Sequence, residues 1–240
     1  MTFSDWINVG YFGFNYGMEN NWNNTMLGLA LLGCAIISYL LGSINCGVII
    51  SRDKFGKDIR ESGSGNAGAT NMLRTYGKKA AILTFLGDVL KTVVAIAAGR
   101  LLLGYLGAFI AGFFCILGHA YPIFFKFKGG KGVVCISTMC LLTNPGVFLI
   151  MLGIFLIILF GFKMVSLASV MIMIIYPFVL YNVGYMGPGI HVALGAICAL
   201  FVVYLHRENI KRIYRHQEST ISFGKKNKDK NDRKSFKDED

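Results

Sequence analysis

The sequence has few charged residues and few prolines, and its first 51 residues contain no lysine or arginine. Only 15% of its 240 residues are charged, whereas 54% are hydrophobic. Mean hydropathy is +0.55. Soluble domains have roughly 45–50% apolar and about 25% charged residues. This shortage of charge excludes an ordinary soluble domain and indicates a protein with several membrane-spanning helices.

Several catalytic signatures are also missing. None of the four histidines has an aspartate five residues later, so the H-x-x-x-x-D pattern of a histidine base with an orienting carboxylate is absent. The sequence has no G-x-S-x-G nucleophile motif and no C-x-x-C pair. All six cysteines lie in apolar runs, which is typical of small buried hydrophobic residues. We therefore expect no metal, no cofactor and a substrate that already has a good leaving group.

Apolar residues are gathered in seven runs. The runs cover Leu27 to Ile50 and about 80–103, 104–125, 133–143, 147–162, 165–181 and 190–205. A helix rises about 1.5 Å per residue and a bilayer core is roughly 30 Å thick, so most runs are long enough to span. The fourth run is too short to span comfortably. We expect it to be tilted, re-entrant or a partial span.

Basic residues are concentrated in three segments. Of the 24 lysines and arginines, 21 lie in 51–79, 126–131 or 207–237. If all seven runs cross the membrane and the N-terminus is outside, the three segments all face the cytoplasm, as the positive-inside rule requires. Six spans would leave some of them outside. The distribution predicts an all-α integral membrane protein with about seven transmembrane helices and a cytoplasmic C-terminus, and it argues against nucleic acid as a partner for the net charge of +11.

The ends of the chain differ from its middle. Residues 1–24 are rich in asparagine and aromatics and lack the positive start of a signal peptide, so we expect an extracytoplasmic extension. Residues 25–213 form the predicted membrane domain. Residues 214–240 are dominated by charged and polar side chains and predict a disordered cytoplasmic tail that touches anionic lipid.

A polar, glycine-rich segment interrupts the apolar chain between Asp58 and Arg74. Its glycines at 63, 65 and 68 match G-x-G-x-x-G, but that pattern indicates dinucleotide binding only between a strand and a helix of a βαβ unit. Here the segment lies between predicted membrane helices. The local chemistry of small residues, hydroxyls and free N–H groups still favours contact with a phosphate.

Two further polar segments lie at the same predicted face. Gly129-Gly130-Lys131-Gly132 resembles half of a phosphate loop, but a glycine follows the lysine where a P-loop has serine or threonine. It is either a flexible turn or a loop in which the lysine meets a phosphate. The segment from His206 to Arg212 is either an ordinary basic end to a membrane helix or part of the same site. Their common face favours a joint role.

Three charged side chains, Asp88, Lys91 and Arg100, fall inside the second apolar run, and Arg100 lies near its outer end, where it can snorkel. Asp88 and Lys91 are three residues apart, so they share a helix face and can neutralise each other. A structural ion pair and a role in the site both remain open for them.

These motifs together resemble the bacterial membrane family of acyl-phosphate:glycerol-3-phosphate acyltransferases. The resemblance rests on GSI at 42–44 with Gly47, DIR at 58–60, SGNAGATNMLR at 64–74, DVLK at 88–91, GHAYP to FKGGKGV at 118–133 and HRENIKR at 206–212. It covers about residues 27–213. Asn45 stands where the family usually has proline, and Val134-Cys135 stands where it usually has Ala-Thr.

The resemblance implies transfer of a fatty acyl group from acyl phosphate to the 1-hydroxyl of sn-glycerol 3-phosphate. The products would be 1-acyl-glycerol 3-phosphate (lysophosphatidic acid) and phosphate, in the first step of phospholipid synthesis. It also implies seven helices in the bacterial cell membrane with the active face in the cytoplasm. Membrane lipid and the two substrates are the expected partners, and an upstream enzyme that forms acyl phosphate is a candidate partner.

The site residues are carried over from the family's motifs. The resemblance assigns catalysis to Lys131, Ser43 and His206. It assigns substrate binding to Arg52, Arg60, Gly63, Ser64, Gly65, Asn66, Gly68, Thr70, Asn71, Arg74, His119, Lys128, Gly129, Gly130, Gly132, Arg207, Glu208 and Asn209. Within this set, the loop 63–71 and Ser43 would hold the acyl-phosphate phosphate and the developing oxyanion. Glycerol 3-phosphate would be bound by Arg52, Lys131, His206 and Asn209. A substrate phosphate would take the proton, with His206 as the alternative base.

A transporter or channel for a small anionic solute is the main alternative function, because intramembrane charges and a polar mouth suit that class as well. Such proteins usually have broken helices paired in two related halves. SGNAGATN at 64–71 has no counterpart in the second half of the sequence. A scaffold that only anchors the basic tail would leave the three polar segments without a purpose.

Overall fold

The computed structural model describes residues 24–184 and 189–221, and these residues form helices and connecting loops with no β-strand. The predicted extension before residue 24 and the predicted tail from residue 222 onward lie outside the described residues. The helices are α1 (Asn24–Gly42), α2 (Cys46–Phe55), α3 (Ala69–Tyr76), α4 (Lys78–Ala120), α5 (Val133–Thr143), α6 (Pro145–Phe162), α7 (Val165–Val183), α8 (Ile190–Leu205) and α9 (Arg207–Tyr214). Short 3-10 turns lie at Ile59–Glu61 and Ile123–Phe125.

Long apolar helices dominate the described chain. Four helical stretches in it are long and apolar enough to cross a membrane, and a fifth is obtained if α8 and α9, bent by 57°, count as one span. The four are Thr25–Phe55, Lys78–Phe125, Pro145–Phe162 and Val165–Val183. The predicted all-α architecture is confirmed for the described residues. The count of seven spans stays a prediction.

The longest helix, α4, is two antiparallel segments. Leu103 and Gly104 have non-helical backbone angles, and Gly104 has a φ of 59°, which glycine adopts without strain. A Cβ on Gly99 would lie 2.4 Å from the carbonyl oxygen of Gly107. Eight residues of straight helix would separate these positions by about 12 Å. Segments 78–102 and 105–120 therefore form a hairpin, and its turn coincides with the predicted boundary between the second and third apolar runs.

The helix α5 has the bounds of the short fourth run. Its 11 residues rise about 16 Å, roughly half the thickness of a bilayer core. One residue, Asn144, separates its end from Pro145. Pro145 begins α6, because proline is tolerated in the first turn of a helix.

Small residues allow the helices to pack closely. A Cβ on Gly42 of α1 would lie 2.3 Å from the carbonyl oxygen of Cys115, and one on Gly118 would lie 2.2 Å from that of Tyr39. Close backbone contact through glycine is typical of membrane helices. The main core then includes Phe109, Ile116, Ile136, Met139, Tyr176, Leu180 and Val202, all nearly inaccessible. Ile157, Phe178 and Leu200 are more than two-thirds exposed, as expected of lipid-facing positions.

The first helical break sets the position of α2. Asn45, which stands in place of the family's usual proline, is the N-cap of α2, and its side-chain oxygen accepts a hydrogen bond of 3.2 Å from the backbone N–H of Val48. Asparagine is a favoured N-cap because it satisfies an otherwise unpaired N–H group. The side chain of Asn45 thus begins α2 after the break that follows α1.

Candidate functional site

An ion-pair network fixes the loop between α2 and α3. The carboxylate of Asp58 accepts hydrogen bonds from Arg60 at 2.7 and 2.9 Å and from Arg52 at 2.8 Å. Hydrogen bonding from the Arg60 guanidinium holds the pKa of Asp58 well below its usual range. Arg60 also donates to the backbone carbonyls of Phe125 and Lys128 at 2.7 and 2.8 Å. Arg60 thus ties this loop to the segment that leads into GGKG.

Asn71 organises the glycine-rich loop from within. Its amide nitrogen donates to the backbone carbonyls of Ile59, Ser62 and Asn66 at 2.9–3.2 Å. Its oxygen accepts the N–H of Ser64 at 2.9 Å. Asn71 is only 2% exposed, so its main function is to shape the loop.

The backbone conformation of this loop requires glycine at two positions. Gly63 and Gly65 have φ angles of 60° and 71°, in the left-handed region that favours glycine. A Cβ on Gly63 would also lie 2.2 Å from the side-chain oxygen of Asn71. The loop backbone therefore closes around that amide.

The GGKG loop packs against the end of the hairpin in α4. The backbone N–H groups of Gly129 and Gly130 donate to the carbonyls of Ala120 and His119, each at 3.0 Å. A Cβ on Gly129 would lie 2.0 Å from the carbonyl oxygen of His119, and one on Gly130 would lie 2.0 Å from Nε2 of the same histidine. These two glycines permit a contact that no other residue could make, and the contact places Lys131 at the start of α5.

Lys131 joins the GGKG loop to α9. Its ammonium donates a hydrogen bond to the side-chain oxygen of Asn209. Burial and the positive charge of Arg212 lower the pKa of Lys131 to about 8, against the opposing carboxylate of Glu218. Lys131 is therefore an ammonium group of reduced hydration and is only partly protonated at mildly alkaline pH.

Glu218 completes this network. Its carboxylate accepts hydrogen bonds from Asn209 at 2.7 Å, from Ser166 at 2.9 Å and from Arg212 at 2.8 Å. Its side chain is only 4% exposed. Glu218 lies beyond residue 213, where the predicted membrane domain ends, so the prediction excluded these contacts from that domain. Sequence reasoning missed Glu218 because it is a single carboxylate in a polar stretch that leads into a charged tail.

The same stretch makes two backbone contacts with the bundle. Arg74 donates to the carbonyl oxygen of Ser219 at 3.3 Å, and the N–H of Ile221 donates to the carbonyl of Lys163 at 2.8 Å. Residues up to 221 thus lie against the polar end of the molecule.

His206 lies at the bend between α8 and α9 and is 3% exposed. Its Nδ1 is 2.7 Å from the carbonyl oxygen of Val202, which can only accept, so Nδ1 carries the proton. Burial lowers the pKa of His206 to about 4, and the charge of Lys131 contributes to this. His206 is therefore neutral at physiological pH.

A cavity of about 380 Å³ connects these polar groups with an apolar interior. Its polar end is lined by Ser64, Asn66, Gly68, Thr70, Asn71, Arg74, Asp88, His119, Lys131, Gly132, His206, Asn209 and Glu218. Its apolar part lies between three helices and is lined by Val133, Val134, Ile136 and Cys140 of α5, Phe148, Met151, Leu152 and Phe155 of α6, and Ile172, Met173 and Tyr176 of α7. One continuous space thus has a polar end with charged side chains and a hydrocarbon-like end.

A second cavity of about 240 Å³ lies beside the polar end and shares Lys131 and Asn209 with the first. It brings in three more of the predicted binding residues, Gly65, Arg207 and Glu208. Glu208 is exposed and pairs with Lys211 at 3.0 Å.

The remaining predicted residues do not line either cavity. These are Ser43, Arg52, Arg60, Gly63, Lys128, Gly129 and Gly130. Ser43 is fully buried; its hydroxyl donates to the carbonyl of Tyr39 at 2.8 Å and accepts the N–H of Ile123 at 3.4 Å. Its position links the break after α1 to the turn before GGKG. The carbonyl of Lys128 accepts from Arg60, and its side chain is exposed.

Asp88 and Lys91, which the sequence left open between two roles, form an ion pair of 2.8 Å. Both side chains are almost fully buried, and Asp88 lines the cavity. The two side chains therefore neutralise each other in the interior, and one of them also lines the cavity.

Comparison with known proteins agrees with this arrangement. The family model for glycerol-3-phosphate acyltransferase matches residues 32–216. The glycerol-3-phosphate acyltransferase of Alkaliphilus metalliredigens (strain QYMF) is 37% identical over 186 residues, which are 78% of this chain and 93% of that protein. The one of Bacillus subtilis (strain 168) is 40% identical over 191 residues, covering 78% of this chain and 96% of that protein.

The fold has solved counterparts. The crystal structure of PlsY (YgiH), an integral membrane glycerol 3-phosphate acyltransferase, in its glycerol 3-phosphate form has a TM-score of 0.75 to this chain at 36% identity, covering 80% of this chain and 96% of that one. Its lysophosphatidic acid form has a TM-score of 0.72 at 34% identity, covering 80% and 95%. The chain therefore belongs to the glycerol-3-phosphate acyltransferase family, whose members are integral membrane acyltransferases.

Proposed function

We propose that this protein transfers a fatty acyl group from acyl phosphate to the 1-hydroxyl of sn-glycerol 3-phosphate. The products are 1-acyl-glycerol 3-phosphate and inorganic phosphate, and the reaction begins phospholipid synthesis. The observation that carries the proposal is one continuous cavity with a charged, polar end and an apolar end. An acyl phosphate has that same division along its length. The glycerol 3-phosphate and lysophosphatidic acid forms of PlsY support the acceptor and the product.

The polar end suits two phosphate-bearing reactants, which repel each other until their charges are neutralised. Lys131 and Arg74 line this end, and Arg212 lines the adjoining cavity. The loop around Asn71 adds backbone N–H groups, which bind phosphate oxygens well at the start of a helix such as α3. Holding the hydroxyl and the carbonyl together at this end is the largest contribution that such a site can make.

The reaction needs only a modest base. As the hydroxyl oxygen of glycerol 3-phosphate bonds to the acyl carbon, the bond from that carbon to the phosphate oxygen breaks. The hydroxyl proton leaves with the departing phosphate, because a phosphate group with a pKa of about 6 can accept it. The pKa of His206, about 4, makes its imidazole a weaker base than a phosphate. This favours a substrate phosphate as the proton acceptor and leaves His206 a binding role.

We place the protein in the bacterial plasma membrane with seven transmembrane segments, an external N-terminus and a cytoplasmic active face. The α1–α2 unit, the two arms of the α4 hairpin, α6, α7 and α8 supply six crossings, and α5 supplies a short seventh. The basic segments then lie on one side, as the positive-inside rule favours. The membrane domain of 25–213 would have the extension outside and the tail in the cytoplasm.

The experiment is to supply purified protein with acyl phosphate and glycerol 3-phosphate and to measure phosphate release and lysophosphatidic acid together. Equal amounts of both are expected. Lys131→Ala should remove most turnover in a protein that still inserts and stays folded, whereas Lys54→Ala, an exposed lysine of α2, should not. Phosphate release without acylated product, or no reaction from folded protein, would refute the proposal.

A transporter for a small anion is the alternative that the same preparation tests. Protein reconstituted in vesicles would then move phosphate or glycerol 3-phosphate across the bilayer without forming product. Measuring solute transport and product formation on the same protein therefore separates the two functions.

A further inference from the structure

A buried polar cluster borders the polar end of the cavity. Asp88, Lys91 and His119 are 1–5% exposed, and Asp88 and His119 line the cavity. The ammonium of Lys91 is 2.8 Å from Asp88 Oδ1, 2.8 Å from the carbonyl oxygen of Ile44 and 3.0 Å from Nδ1 of His119. The mechanism above uses none of these three side chains.

The contacts of Lys91 fix the proton on His119. An ammonium group has three N–H donors and no acceptor, and a carboxylate at 2.8 Å keeps Lys91 charged. Its ammonium forms hydrogen bonds with the carbonyl oxygen of Ile44 and with Nδ1 of His119, whereas its contact with Asp88 Oδ1 is an ion pair without a hydrogen bond. Because the ammonium cannot accept, Nδ1 of His119 is the acceptor. Asp88 is further from Nδ1, at 3.6 Å. The ring proton of His119 is therefore on Nε2.

Nε2 of His119 is the nitrogen available to a ligand. No residue among those that the structure describes forms a hydrogen bond with it, whereas Nδ1 is held by Lys91. It lies against Gly130, where a Cβ would come within 2.0 Å of it. The absence of a side chain at residue 130 allows the backbone to pack this closely without a hydrogen bond to Nε2.

We propose that His119 donates its Nε2–H to the carbonyl oxygen of the acyl phosphate and stabilises the negative charge that develops there. This rests on the proposed function. His119 and Lys131 both line the polar end of the cavity, and Val133 at the start of α5 lines its apolar part. A phosphate near Lys131 and a chain along α5 would therefore place the carbonyl that joins them within the part of the cavity that His119 borders. A donor preset toward a developing oxyanion accelerates acyl transfer because it needs no reorganisation.

His119 keeps its proton throughout the step. When the hydroxyl oxygen bonds to the acyl carbon, the π electron pair of the carbonyl moves to its oxygen. The pair returns as the carbon–oxygen bond to phosphate breaks, and the hydroxyl proton leaves with the phosphate. Asp88 and Lys91 are positioning residues, since they act on the substrate only through the imidazole.

Steady-state kinetics of His119→Leu and His119→Gln test the role. Leucine fills similar space without a donor, and glutamine retains an N–H in place of Nε2. Removing one such donor costs about 100- to 1,000-fold in kcat. We expect that loss in kcat for the leucine variant with KM nearly unchanged, and rescue of most of it by glutamine. Unchanged kcat in folded His119→Leu, or a loss confined to KM, which would indicate a contact to ground-state phosphate, overturns the proposal.

The tautomer is tested without turnover by NMR of the wild-type protein labelled with ¹⁵N-histidine. The chain has four histidines, and the signal lost in His119→Gln identifies the ring. The expected result is a proton on Nε2 and none on Nδ1, with Lys91→Met allowing the other tautomer to appear. A proton on Nδ1, or a doubly protonated ring at neutral pH, overturns the proposal even if both variants fail to turn over.

The two tests separate the two ideas. If the wild-type protein has the expected tautomer but makes no lysophosphatidic acid, the proposed function fails and the substrate role of His119 fails with it. If acylation occurs but the tautomer is wrong, only the role of His119 fails.

Discussion

Lys131 on the GGKG loop donates a hydrogen bond to Asn209 on α9, and this bond connects two polar segments that are 78 residues apart in the sequence. The contact lies at the polar end of the cavity, among Arg74, Arg212 and Glu218. Because burial dominates the shift, the pKa of Lys131 falls to about 8. The positive charge of Lys131 is thus titratable near physiological pH.

The affinity for glycerol 3-phosphate should therefore decline above pH 8. A lysine is charged below its pKa, so the fraction of Lys131 that is cationic falls about tenfold between pH 7 and pH 9. The substrate phosphate, with a pKa of about 6, is already a dianion over that range. We expect KM for glycerol 3-phosphate to rise about tenfold in initial-rate measurements. Lys131→Arg should have a flatter profile because arginine stays protonated; the same rise in that variant would assign the titration to another group.

His206 should not be the titrating base. Its pKa of about 4 keeps it neutral from pH 5 to 8, with Nδ1 bonded to the carbonyl of Val202. Replacing it with glutamine should lower kcat/KM by about tenfold through one lost hydrogen bond. The shape of the pH profile between pH 5 and 8 should stay the same. Disappearance of an ionisation from the kcat profile of His206→Gln would identify His206 as the base.

Glu218 should stabilise the protein as well as the site. Glu218→Ala leaves the side chains of Ser166, Asn209 and Arg212 without their shared acceptor. An unsatisfied buried polar group costs about 1–3 kcal/mol. We expect a lower midpoint of thermal unfolding in detergent and a higher KM for glycerol 3-phosphate, with Glu218→Gln intermediate. The exposed Glu61→Ala serves as the control, and equal midpoints for both alanine variants would contradict the prediction.

Gly130→Ala tests the packing of the GGKG loop. The new Cβ would lie 2.0 Å from Nε2 of His119, so either the loop or the imidazole has to move. A displacement of about 1 Å is enough to cost about 100-fold in rate. The matched control is Gly153→Ala on α6, where a Cβ meets nothing within 4 Å. The measurement is kcat for both variants, and we expect a loss for Gly130→Ala only. Equal rates would show that the loop tolerates the methyl group.

The sequence predicted the coarse arrangement well. The basic residues put three polar segments on one face, and Lys131 and Asn209 do meet. The break at Gly104 coincides with the gap between two apolar runs. These features follow from local composition and from the thickness of a bilayer, which act on any membrane chain in the same way.

The finer contacts could not be read from the sequence, because they depend on side-chain directions set by packing. Arg60 was expected at the substrate, yet its guanidinium donates to carbonyls more than 60 residues away. Gly129 and Gly130 were assigned to substrate binding, and they pack against His119. The sequence near these residues does not reveal either contact. Glycine, for example, is required both for close packing and for contact with a phosphate.

Tyr176 should limit the length of the acyl chain. It lies ten residues after Ser166 on α7, about 15 Å deeper in the bundle, and it is the last residue of that helix to line the cavity. Its ring lies 3.3 Å from the Cβ position of Gly195, and its hydroxyl is buried without a hydrogen-bond partner among the described residues. A chain that enters from the polar end therefore meets this ring.

Tyr176→Ala should shift the preferred acyl phosphate toward longer chains, because each additional methylene that is buried is worth roughly fourfold in affinity. The measurement is kcat/KM over a series of saturated acyl phosphates. Tyr181→Ala, an exposed tyrosine on the same helix, is the matched control and should leave the preference unchanged. Tyr176→Phe removes only the unpartnered hydroxyl and should keep the wild-type preference with no loss of stability. If Tyr176→Ala is folded and retains the wild-type optimum, the chain does not end at this residue.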